Sequence, residues 1–262
     1  MERKFGFTNI FKRAGLTAVV FLFLAPVLFT FVNSFTQPGG GFTFVNYGML
    51  LFGRSIYLKM FWNSVILVVP VLIGQFFIAP LAAYGLENIR FRGKEVLYFI
   101  YIIIMLMPMQ LLLVPNFIVA GWLGIRGSYL AIILPALFHP LGVFLIRQQL
   151  KSFPRECQEA AQIDGATAFQ TYLYIIRPNM SSTVAVMMVL LFADNWNIID
   201  QAAVFITDLS RMPLSIVLGS LTEDSSGMLS AVSFFYIIPP LLVYLLSQGH
   251  LRRGIVLVRN IH

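Results

Sequence analysis

Residues 152–178 read SFPRECQEAAQIDGATAFQTYLYIIRP and form a hydrophilic island between strongly apolar stretches. Pro154 suits the first turn of a helix, because its missing N–H would have no partner there. Gly165 can adopt the unusual backbone angles at the end of that helix, and Asp164 can cap a second one. The island therefore predicts two short helices joined by a glycine hinge, on the polar side of an apolar protein.

The second predicted helix carries one apolar face. Its members recur at i, i+3, i+4 and i+7 and are Phe169, Tyr172, Leu173 and Ile176. Pro178 ends this helix. In the first helix the small residues Ala160 and Ala161 allow another surface to come close, and Glu159 offers that surface a charge. A generic amphipathic loop is the alternative, although it needs neither the glycine hinge nor the terminal proline.

The composition excludes a soluble domain. The chain has 262 residues, of which 58% are hydrophobic and 11% charged, and its mean hydropathy is +0.83, whereas a soluble surface needs far more charge. Its 25 phenylalanines and 10 tyrosines suit a lipid-facing body. Cys157 is the only cysteine, so no internal disulfide can form, and we interpret it as a small packing residue rather than a reactive thiol.

Six stretches are apolar enough to cross a bilayer as helices of about 20 residues. They are residues 14–33, 61–86, 95–118, 128–147, 180–205 and 229–248. Basic residues precede the first stretch as in a signal peptide, but its apolar run is long and no cleavage site follows, so we interpret it as a span. The prediction is an all-α membrane protein with a single domain over residues 1–262, in which core spans run from 61 to 248 and the loop at 151–178 is polar.

The basic residues are unevenly divided between the two membrane faces. With an even number of spans, the face that holds both termini and the island collects Arg3, Lys4, Lys12, Arg13, Arg90, Arg92, Lys94, Arg147, Lys151, Arg155, Arg177, Arg252, Arg253 and Arg259. The opposite face keeps Arg54, Lys59, Arg126 and Arg211. Positive loops stay in the cytoplasm, so both termini are predicted to be cytoplasmic in a bacterial-type cell membrane. Because these charges are spread over separate loops, they form no nucleic-acid groove.

Prolines fall near the middle of several predicted spans: Pro70, Pro80, Pro108, Pro115, Pro135, Pro140, Pro239 and Pro240. Each removes a backbone hydrogen bond and can kink or break a helix. Any single proline has two open interpretations. It either bends a helix around a cavity that opens and closes, or it reflects the ordinary tolerance of membrane helices for proline. Their repetition favours a bundle that is not simply straight.

The island resembles the EAA loop of ABC-importer permeases, which docks into a groove on the ATPase subunit. The matching positions are Glu159, Ala160, Ala161, Gly165, Ile175 and Pro178, and Asp164 and Ala166 complete the fuller motif of the carbohydrate-uptake branch. Arg177 departs from the pattern, which usually has Leu before the final proline. The resemblance implies that these matching residues couple the chain to an ATPase.

The similarity covers nearly the whole chain and is weakest before residue 45. The chain resembles the second permease subunit of maltose-type sugar transporters at Asn63-Ser64, Ala83-Tyr84, Phe91-Arg92-Gly93-Lys94, Arg147-Gln148-Gln149, Trp196-Asn197, Met212-Pro213-Leu214 and residues 248–254. The tail Arg259-Asn260-Ile261-His262 departs from the glycine- and lysine-containing end often seen. This resemblance implies the type I importer fold, with six transmembrane helices and a two-helix coupling loop.

Function and partners follow from the same resemblance. It implies a permease subunit of an ATP-driven importer for a sugar or oligosaccharide that an extracytoplasmic binding protein delivers. The implied partners are a second, homologous permease subunit in a heterodimer, two ATPase subunits and the lipid bilayer. The sequence has no Gly-rich phosphate loop with Lys-Ser/Thr, so we expect a non-catalytic chain without a cofactor, and ATP and Mg²⁺ bound by the ATPase partner.

The end of the fifth predicted span is unusually polar. Asp194, Asn197 and Gln201 are spaced at i, i+3 and i+7, so they share one face of the predicted helix. Asn195, Trp196 and Asp200 lie beside that face. Asp194 falls in the outer half of the bilayer, where a carboxylate is costly unless it faces water or a partner. Amides and a carboxylate suit sugar hydroxyls and an indole can stack on a sugar ring, which predicts a translocation path. A helix end that emerges into the membrane interface is the alternative.

Other polar positions have two interpretations each. Gln75 and Gln110 either line a cavity or hydrogen-bond to a backbone carbonyl of a neighbouring helix, and the second is favoured. His139 is interpreted as a packing residue, since the sequence shows no acidic partner for a proton relay. By resemblance, the outward segments 34–60 and 206–228 receive the binding protein, with passive connections as the alternative. The apolar run 214–218 is predicted to lie in the membrane interface.

Two other classes of function are less well supported. A secondary transporter or channel for a small polar solute usually has paired charged groups near the midplane and often an inverted repeat, but deep acids are few and no repeat is visible. A membrane enzyme such as an intramembrane protease would need a catalytic string such as His-Glu-x-x-His or Gly-x-Ser-x-Gly, which the sequence lacks.

Overall fold

The computed structural model describes residues 7–37, 40–53, 55–218 and 226–259. Within these ranges the chain is helical and contains no β-strand, which confirms the all-α class. The helices are α1 (Phe7–Asn33), α2 (Val45–Gly48), α3 (Ser55–Asn88), α4 (Lys94–Leu106), α5 (Met109–Trp122), α6 (Leu130–Leu137), α7 (Pro140–Lys151), α8 (Arg155–Ile163), α9 (Ala168–Thr171), α10 (Arg177–Asn179), α11 (Ser181–Trp196), α12 (Asp200–Phe205), α13 (Leu214–Leu218) and α14 (Ser226–Arg259). π-helical turns at Met49–Gly53 and Tyr172–Ile176 follow α2 and join α9 to α10, and Leu209–Arg211 form a 3-10 turn.

Within the described residues, four to six helices are long and apolar enough to cross a membrane. Four are free of a sharp bend and are Lys12–Asn33, Ile56–Asn88, Leu130–Lys151 and Gly227–Gly249. Two more form if α4 and α5 make one span across a bend of 108°, and if Ala168–Asn179 and α11 make another across a bend of 74°. The six predicted stretches therefore correspond to helical segments of the fold. Predictions that fall on Arg3, Lys4, Arg54, Glu223, Asp224 or residues 260–262 lie outside the described residues.

Three of the six stretches are not one continuous helix. The stretch 128–147 is interrupted between α6, which ends at Leu137, and α7, which begins at Pro140. The stretch 95–118 is broken, because α4 ends at Leu106 and Met107 is extended, with ψ of 131°. A residue that precedes proline, here Pro108, is pushed out of the helical conformation in this way. The helix of the stretch 180–205 ends early, at Trp196.

The prolines act in two different ways. Those inside continuous helices are Pro70 and Pro80 in α3, Pro115 in α5, Pro135 in α6, and Pro239 and Pro240 in α14. Pro108 and Pro140 instead follow breaks, where the preceding residues Met107 and His139 are extended. The bent-helix interpretation is therefore supported at Pro108, where the bend is 108°, whereas the break at Pro140 lies within a span that has no sharp bend.

The chain forms two compact units. One comprises residues 1–58 and 217–238, and the other comprises residues 59–216 and 239–262. Helices α3 and α14 thus contribute to both. The single domain over residues 1–262 stays a prediction.

The core of the larger unit lies where α3, α7, α11 and the turn Tyr172–Ile176 meet. Its buried residues are Ala79, Ala83, Tyr84, Val143, Ile146, Leu150, Tyr172, Ile176, Met180, Met187 and Leu191. A Cβ added at Gly142 would come 2.9 Å from both the Ala79 Cβ and the Met187 Sδ, so glycine sets this helix spacing. Lipid tails are as apolar as leucine, so close van der Waals packing of small residues stabilises such helix contacts.

Arg147 joins three helices at one end of this core. Its side chain is only 2% exposed, and its Nε lies 3.0 Å from Glu87 Oε2 at the end of α3. One of its terminal nitrogens lies 3.1 Å from Glu95 Oε1 at the start of α4, and its guanidinium carbon lies 3.6 Å from the centre of the Tyr98 ring. Arg147, which the sequence analysis grouped with the basic residues of the loops, is therefore a buried cation paired with two glutamates. Breaking a buried pair by removing one partner costs about 3–5 kcal/mol.

The Asn63-Ser64 pair fastens the loop that follows α12. Asn63 Nδ2 donates to the carbonyl oxygens of Ser210 and Met212, each at 3.0 Å. The Leu214 N–H donates to Ser64 Oγ at 2.9 Å. These bonds fix the loop to α3 and explain why a polar pair stands near the start of an apolar span.

The start of α13 is buried. Leu214 and Ser215 are both buried against the protein, and the interfacial position of the run 214–218 stays a prediction. Ser215 Oγ donates to the Ile198 carbonyl at 2.6 Å, within the segment between α11 and α12. Helix α13 therefore supplies a hydrogen bond to the backbone just after α11.

The smaller unit contains an aromatic cluster around Phe35. The Phe35 and Phe42 rings stack with centroids 5.2 Å apart, and an antiparallel bridge joins Thr36 to Phe42. This bridge closes the predicted turn at 37–41, of which residues 38 and 39 lie outside the described residues. A Cβ on Gly227 would collide with the Thr36 carbonyl oxygen, so α14 needs glycine at that contact.

Gln75 bridges the break between α6 and α7. Its Nε2 lies 3.1, 2.9 and 3.2 Å from the carbonyl oxygens of Ala136, Leu137 and His139. These are carbonyl groups that lose helical partners where the span breaks. Gln75 is buried and hydrogen-bonds to a neighbouring helix, which was the favoured interpretation.

We expect Gln75→Leu to lower the free energy of unfolding by about 1–3 kcal/mol, because buried carbonyl groups at the break lose their donor. Thermal unfolding of the detergent-solubilised protein measures this change. Gln148→Leu is the matched control, since Gln148 is exposed on α7. Equal melting temperatures for the two variants would show that Gln75 does not stabilise the break.

Candidate functional site

The hydrophilic island folds into two helical pieces joined by a tight turn. Helix α8 ends in a Schellman motif, in which the Ala166 N–H donates to the Ala161 carbonyl at 2.9 Å and the Gly165 N–H to the Gln162 carbonyl at 3.0 Å. Gly165 has φ of +82°, in the left-handed region that glycine adopts without strain. The glycine hinge predicted from the sequence is confirmed.

The cap of the second piece differs from the prediction. Thr167, not Asp164, is its N-cap: the Gln170 N–H donates to Thr167 Oγ1 at 3.3 Å, and the Thr167 N–H donates to Gln170 Oε1 at 2.8 Å. This reciprocal capping box satisfies two backbone donors. Asp164 is instead the C-cap residue of α8, because the Schellman turn separates the two helices by three further residues.

The second piece is embedded in the core of the larger unit. Tyr172 and Ile176 are buried there and Leu173 packs against them, whereas Phe169 is exposed. The predicted apolar face is therefore correct for three of its four members. Pro178 lies in α10, which ends at the next residue.

Two side-chain hydrogen bonds tie this piece to the long helices. Tyr84 Oη, on α3, donates to the Ala168 carbonyl at 3.0 Å, and Gln149 Nε2, on α7, donates to the Asn179 carbonyl at 3.2 Å. The Ile175 carbonyl accepts from the side chain of Asn179 at 2.7 Å. These bonds connect the island directly to α3 and α7.

One face of the island is open to a partner. We call it the coupling face, and its exposed residues are Glu159, Ala160, Ile163, Asp164 and Gly165. Ile163 is 86% exposed, although its side chain is fully apolar. Sequence reasoning missed this residue; the available signal was a lone isoleucine at the end of a polar helix.

Ala161 and Ala166 have other roles than the exposed residues. Ala161 is only 6% exposed, so its small side chain serves packing within the chain rather than contact with another surface. Ala166 is half-buried and supplies the N–H that closes the Schellman turn. Of the two adjacent alanines, Ala160 alone faces outward.

Three helix ends meet around a cavity of about 530 Å³. They are the start of α5 after the bend at Pro108, the break before α7, and the end of α11. We call this the polar cavity, and it is lined by Met109, Ala136, His139, residues 193–195 and residues 197–201. Irregular backbone at membrane depth is tolerated where it is buried in protein or lines a water-filled cavity. The convergence of three such ends therefore indicates a water-filled cavity.

The structure brings four predicted path residues together here: Asp194, Asn195, Asn197 and Gln201. They do not share one helix face as predicted, because Asn197 is the C-cap of α11 and Gln201 belongs to α12. Asn197 Nδ2 donates to the Ala193 carbonyl at 2.8 Å, a side-chain bond that competes with continued helix. The four residues surround a helix end instead.

Trp196 lies outside the polar cavity. Its indole is 1% exposed, stacks on the Phe192 ring with centroids 5.4 Å apart, and meets the Phe61 ring edge-on at 5.7 Å. In this conformation the indole packs against the protein and is not available to a sugar ring.

His139, which the sequence did not assign to the path, and Asp200, which lies beside the predicted path residues, complete the lining. His139 caps α7, since the Leu141 N–H donates to its Nδ1 at 3.4 Å, and it lies near enough to Asp194 for electrostatic interaction. Asp200 Oδ2 accepts from Gln110 Nε2 at 3.0 Å, so Gln110 hydrogen-bonds between helices, but to a carboxylate rather than to the expected backbone carbonyl. The sequence could not predict that His139 and Asp194 lie near each other, because the two residues are far apart along the chain.

The polar cavity lies deep along α11. At a rise of about 1.5 Å per residue, Asp194 is about 20 Å from Ser181, where α11 begins. A hydrocarbon layer is about 30 Å thick, so the cavity is beyond its middle when α11 starts at the membrane surface. Broken helices around such a cavity, joined to an exposed surface segment, define a membrane transport protein of the permease class.

The particular family is shown by comparison with known proteins. Residues 75–256 match the family "Binding-protein-dependent transport system inner membrane component", and the chain belongs to it. It is therefore a multi-pass membrane protein and a transport subunit rather than an enzyme, and ATP hydrolysis belongs to a separate ATPase.

Individual relatives agree with this assignment. The chain is 30% identical over 216 residues to the "Arabinooligosaccharides transport system permease protein AraQ" of Bacillus subtilis (strain 168), which covers 81% of this chain and 77% of the relative. It is 29% identical over 200 residues to the "Lactose transport system permease protein LacG" of Rhizobium radiobacter, which covers 75% of this chain and 73% of the relative.

A solved structure shows the same fold. It is a chain of "a bacterial ABC transporter involved in the import of the acidic polysaccharide alginate", with a TM-score of 0.82 and 21% sequence identity. The match covers 96% of this chain and 99% of that chain. The type I importer permease fold is therefore confirmed.

The polar cavity predicts reactivity of a thiol placed in it. In a Cys157→Ser background, we expect Ala193→Cys to react with a water-soluble methanethiosulfonate at least tenfold faster than Ala202→Cys, because Ala193 lines the cavity and Ala202 is inaccessible. Labelling rates in membrane vesicles, followed by gel shift, measure this. Equal, slow rates at both positions would mean that the cavity holds no water.

Proposed function

We propose that this chain is the permease subunit of an ATP-driven importer and translocates a sugar or oligosaccharide that an extracytoplasmic binding protein delivers. One observation carries the mechanism: α11 connects the island to the polar cavity. It begins at Ser181, directly after the island's last helix, and its far end supplies Asp194 and Asn195 to the cavity. A single rigid element thus links the proposed point of force to the proposed path.

Force enters through the coupling face. Glu159 and Asp164 offer polar contacts, Ala160 allows close approach, and Ile163 is an apolar anchor of the kind that concentrates binding energy. The proposed partners here are two ATPase subunits that bind ATP and Mg²⁺. Closure of the ATPase pair moves the island, and α3, α7 and α11 follow because Tyr84, Gln149 and the shared core join them to it.

The polar cavity forms this chain's side of the path. Carboxylates of Asp194 and Asp200 accept hydrogen bonds from sugar hydroxyls, and the amides of Asn195, Asn197 and Gln201 both donate and accept. A second, homologous permease subunit completes the path in a heterodimer. Alternating exposure of the cavity follows from tilting of the helices that end at it.

Orientation follows from the charges. Both termini and the island face the cytoplasm, which places the turn at 36–42 and the loop 206–213 outside. Phe42 and Phe44 are exposed there, and the N–H and hydroxyl of Ser210 hold the pKa of Asp208 below its usual range. Each of the two segments, taken by itself, offers exposed groups that suit docking of the binding protein.

Gly165→Asp tests coupling. A Cβ at Gly165 meets nothing within 4 Å inside the chain, so the new side chain would project into the docked ATPase. We expect uptake by cells to fall at least tenfold, with unchanged membrane insertion. Gly93→Asp is the matched control, because Gly93 has φ of +83° and equally open surroundings.

Two outcomes would contradict this prediction. Normal uptake with Gly165→Asp would remove the coupling face from the mechanism. Equal losses with Gly165→Asp and Gly93→Asp would mean that backbone strain, which the two positions share, is responsible rather than docking.

Ile163 tests the anchor separately. We expect Ile163→Ser to weaken the ATPase interaction by about 2 kcal/mol, since an exposed apolar side chain gains most when a partner covers it. The measurement is co-purification of the ATPase from membranes, with Gln162→Ser, the exposed neighbour on α8, as control. Undiminished co-purification with Ile163→Ser would exclude this residue from the interface.

A further inference from the structure

The polar cavity is strongly asymmetric in charge. Its lining includes the carboxylates of Asp194 and Asp200, and no lysine or arginine is among its lining residues, all of which lie in the described part of the chain. Neither carboxylate is paired with a cation, because the ion pairs found among the described residues are those of Arg147 with Glu87 and Glu95. The fixed charge of the lining is therefore negative.

Other local charges do not reverse this sign. Protonation of His139 would cancel one carboxylate and leave the other. The starts of α5 and α7 point partial positive charges of about one half each at the cavity, and the end of α11 opposes them with about minus one half. These partial charges together amount to less than one carboxylate.

We propose that the polar cavity selects its solute by charge: it accepts neutral and amine-bearing saccharides and rejects anionic ones such as uronates and sugar phosphates. This proposal rests on the proposed function and names the substrate class of the same site. Hydroxyl and ammonium groups donate to Asp194 and Asp200, while a carboxylate or phosphate at the same place meets like charge. The low-dielectric protein around the cavity screens this repulsion less than bulk water does.

The amides set the remaining specificity. Asn195 and Gln201 offer N–H donors to ring and hydroxyl oxygens without charge, so they bind neutral polyols as well as amino sugars. Asp200 is held in place by the Gln110 hydrogen bond, which leaves its second oxygen for a ligand. A polyol therefore finds acceptors and donors together, whereas an anion finds uncharged donors beside two repelling groups.

Charged thiol reagents test the proposal without knowledge of the substrate. In the assembled importer with Cys157→Ser, Ala193→Cys is labelled with a trimethylammonium-ethyl and with a sulfonatoethyl methanethiosulfonate. We expect the cation-to-anion rate ratio to exceed the ratio for free cysteine at least tenfold. Adding Asp194→Asn and Asp200→Asn should return the ratio to within about twofold of the free-thiol value.

The results separate the two proposals. A ratio equal to that of free cysteine, or one unchanged by the two Asn substitutions, overturns charge selection. A second arm compares uptake of a neutral and a glucuronate-bearing oligosaccharide panel by the importer before and after the same two substitutions. Increased uptake of the acidic members supports charge selection along the path. If labelling is charge-selective but uptake of the acidic members does not change, the cavity is negatively charged but does not lie on the translocation path. That result overturns the proposal that the cavity selects the transported solute.

Discussion

The need to satisfy every backbone polar group inside a bilayer governs this structure. Three helices end or break at the polar cavity, and the groups at these ends are bound by Gln75, His139, Asn197 and Ser215. These partners let the backbone leave the helical conformation where straight spans would close the interior. Cavity, bent helices and polar side chains within apolar stretches are thus consequences of one constraint rather than separate features.

The island and the polar cavity lie at opposite ends of α11. In the island, a Schellman turn and a capping box fix the two helical pieces to each other. Helix α11 starts where the island ends and stops at the cavity. The shared core and Gly142 keep α3, α7 and α11 in close contact. Helix α11 therefore connects the island at the surface to the polar cavity in the interior without a long loop between them.

Sequence reasoning could predict what depends on local pattern. The six apolar stretches, the glycine hinge and the polar character of residues 194–201 follow from composition and spacing. It could not predict what depends on contacts between distant residues. Asp194 meets His139, Gln110 meets Asp200 and Trp196 is buried only because separate helices converge. Thr167 displaced Asp164 as the cap because the Schellman turn consumes three residues, which helix propensity alone does not reveal.

Arg147 bears on how the protein is made. Glu87 and Glu95 flank the turn between α3 and α4, and their shared cation arrives only when α7 has been synthesised. The turn between α3 and α4 therefore depends, for its charge balance, on a residue 52 to 60 positions further along the chain.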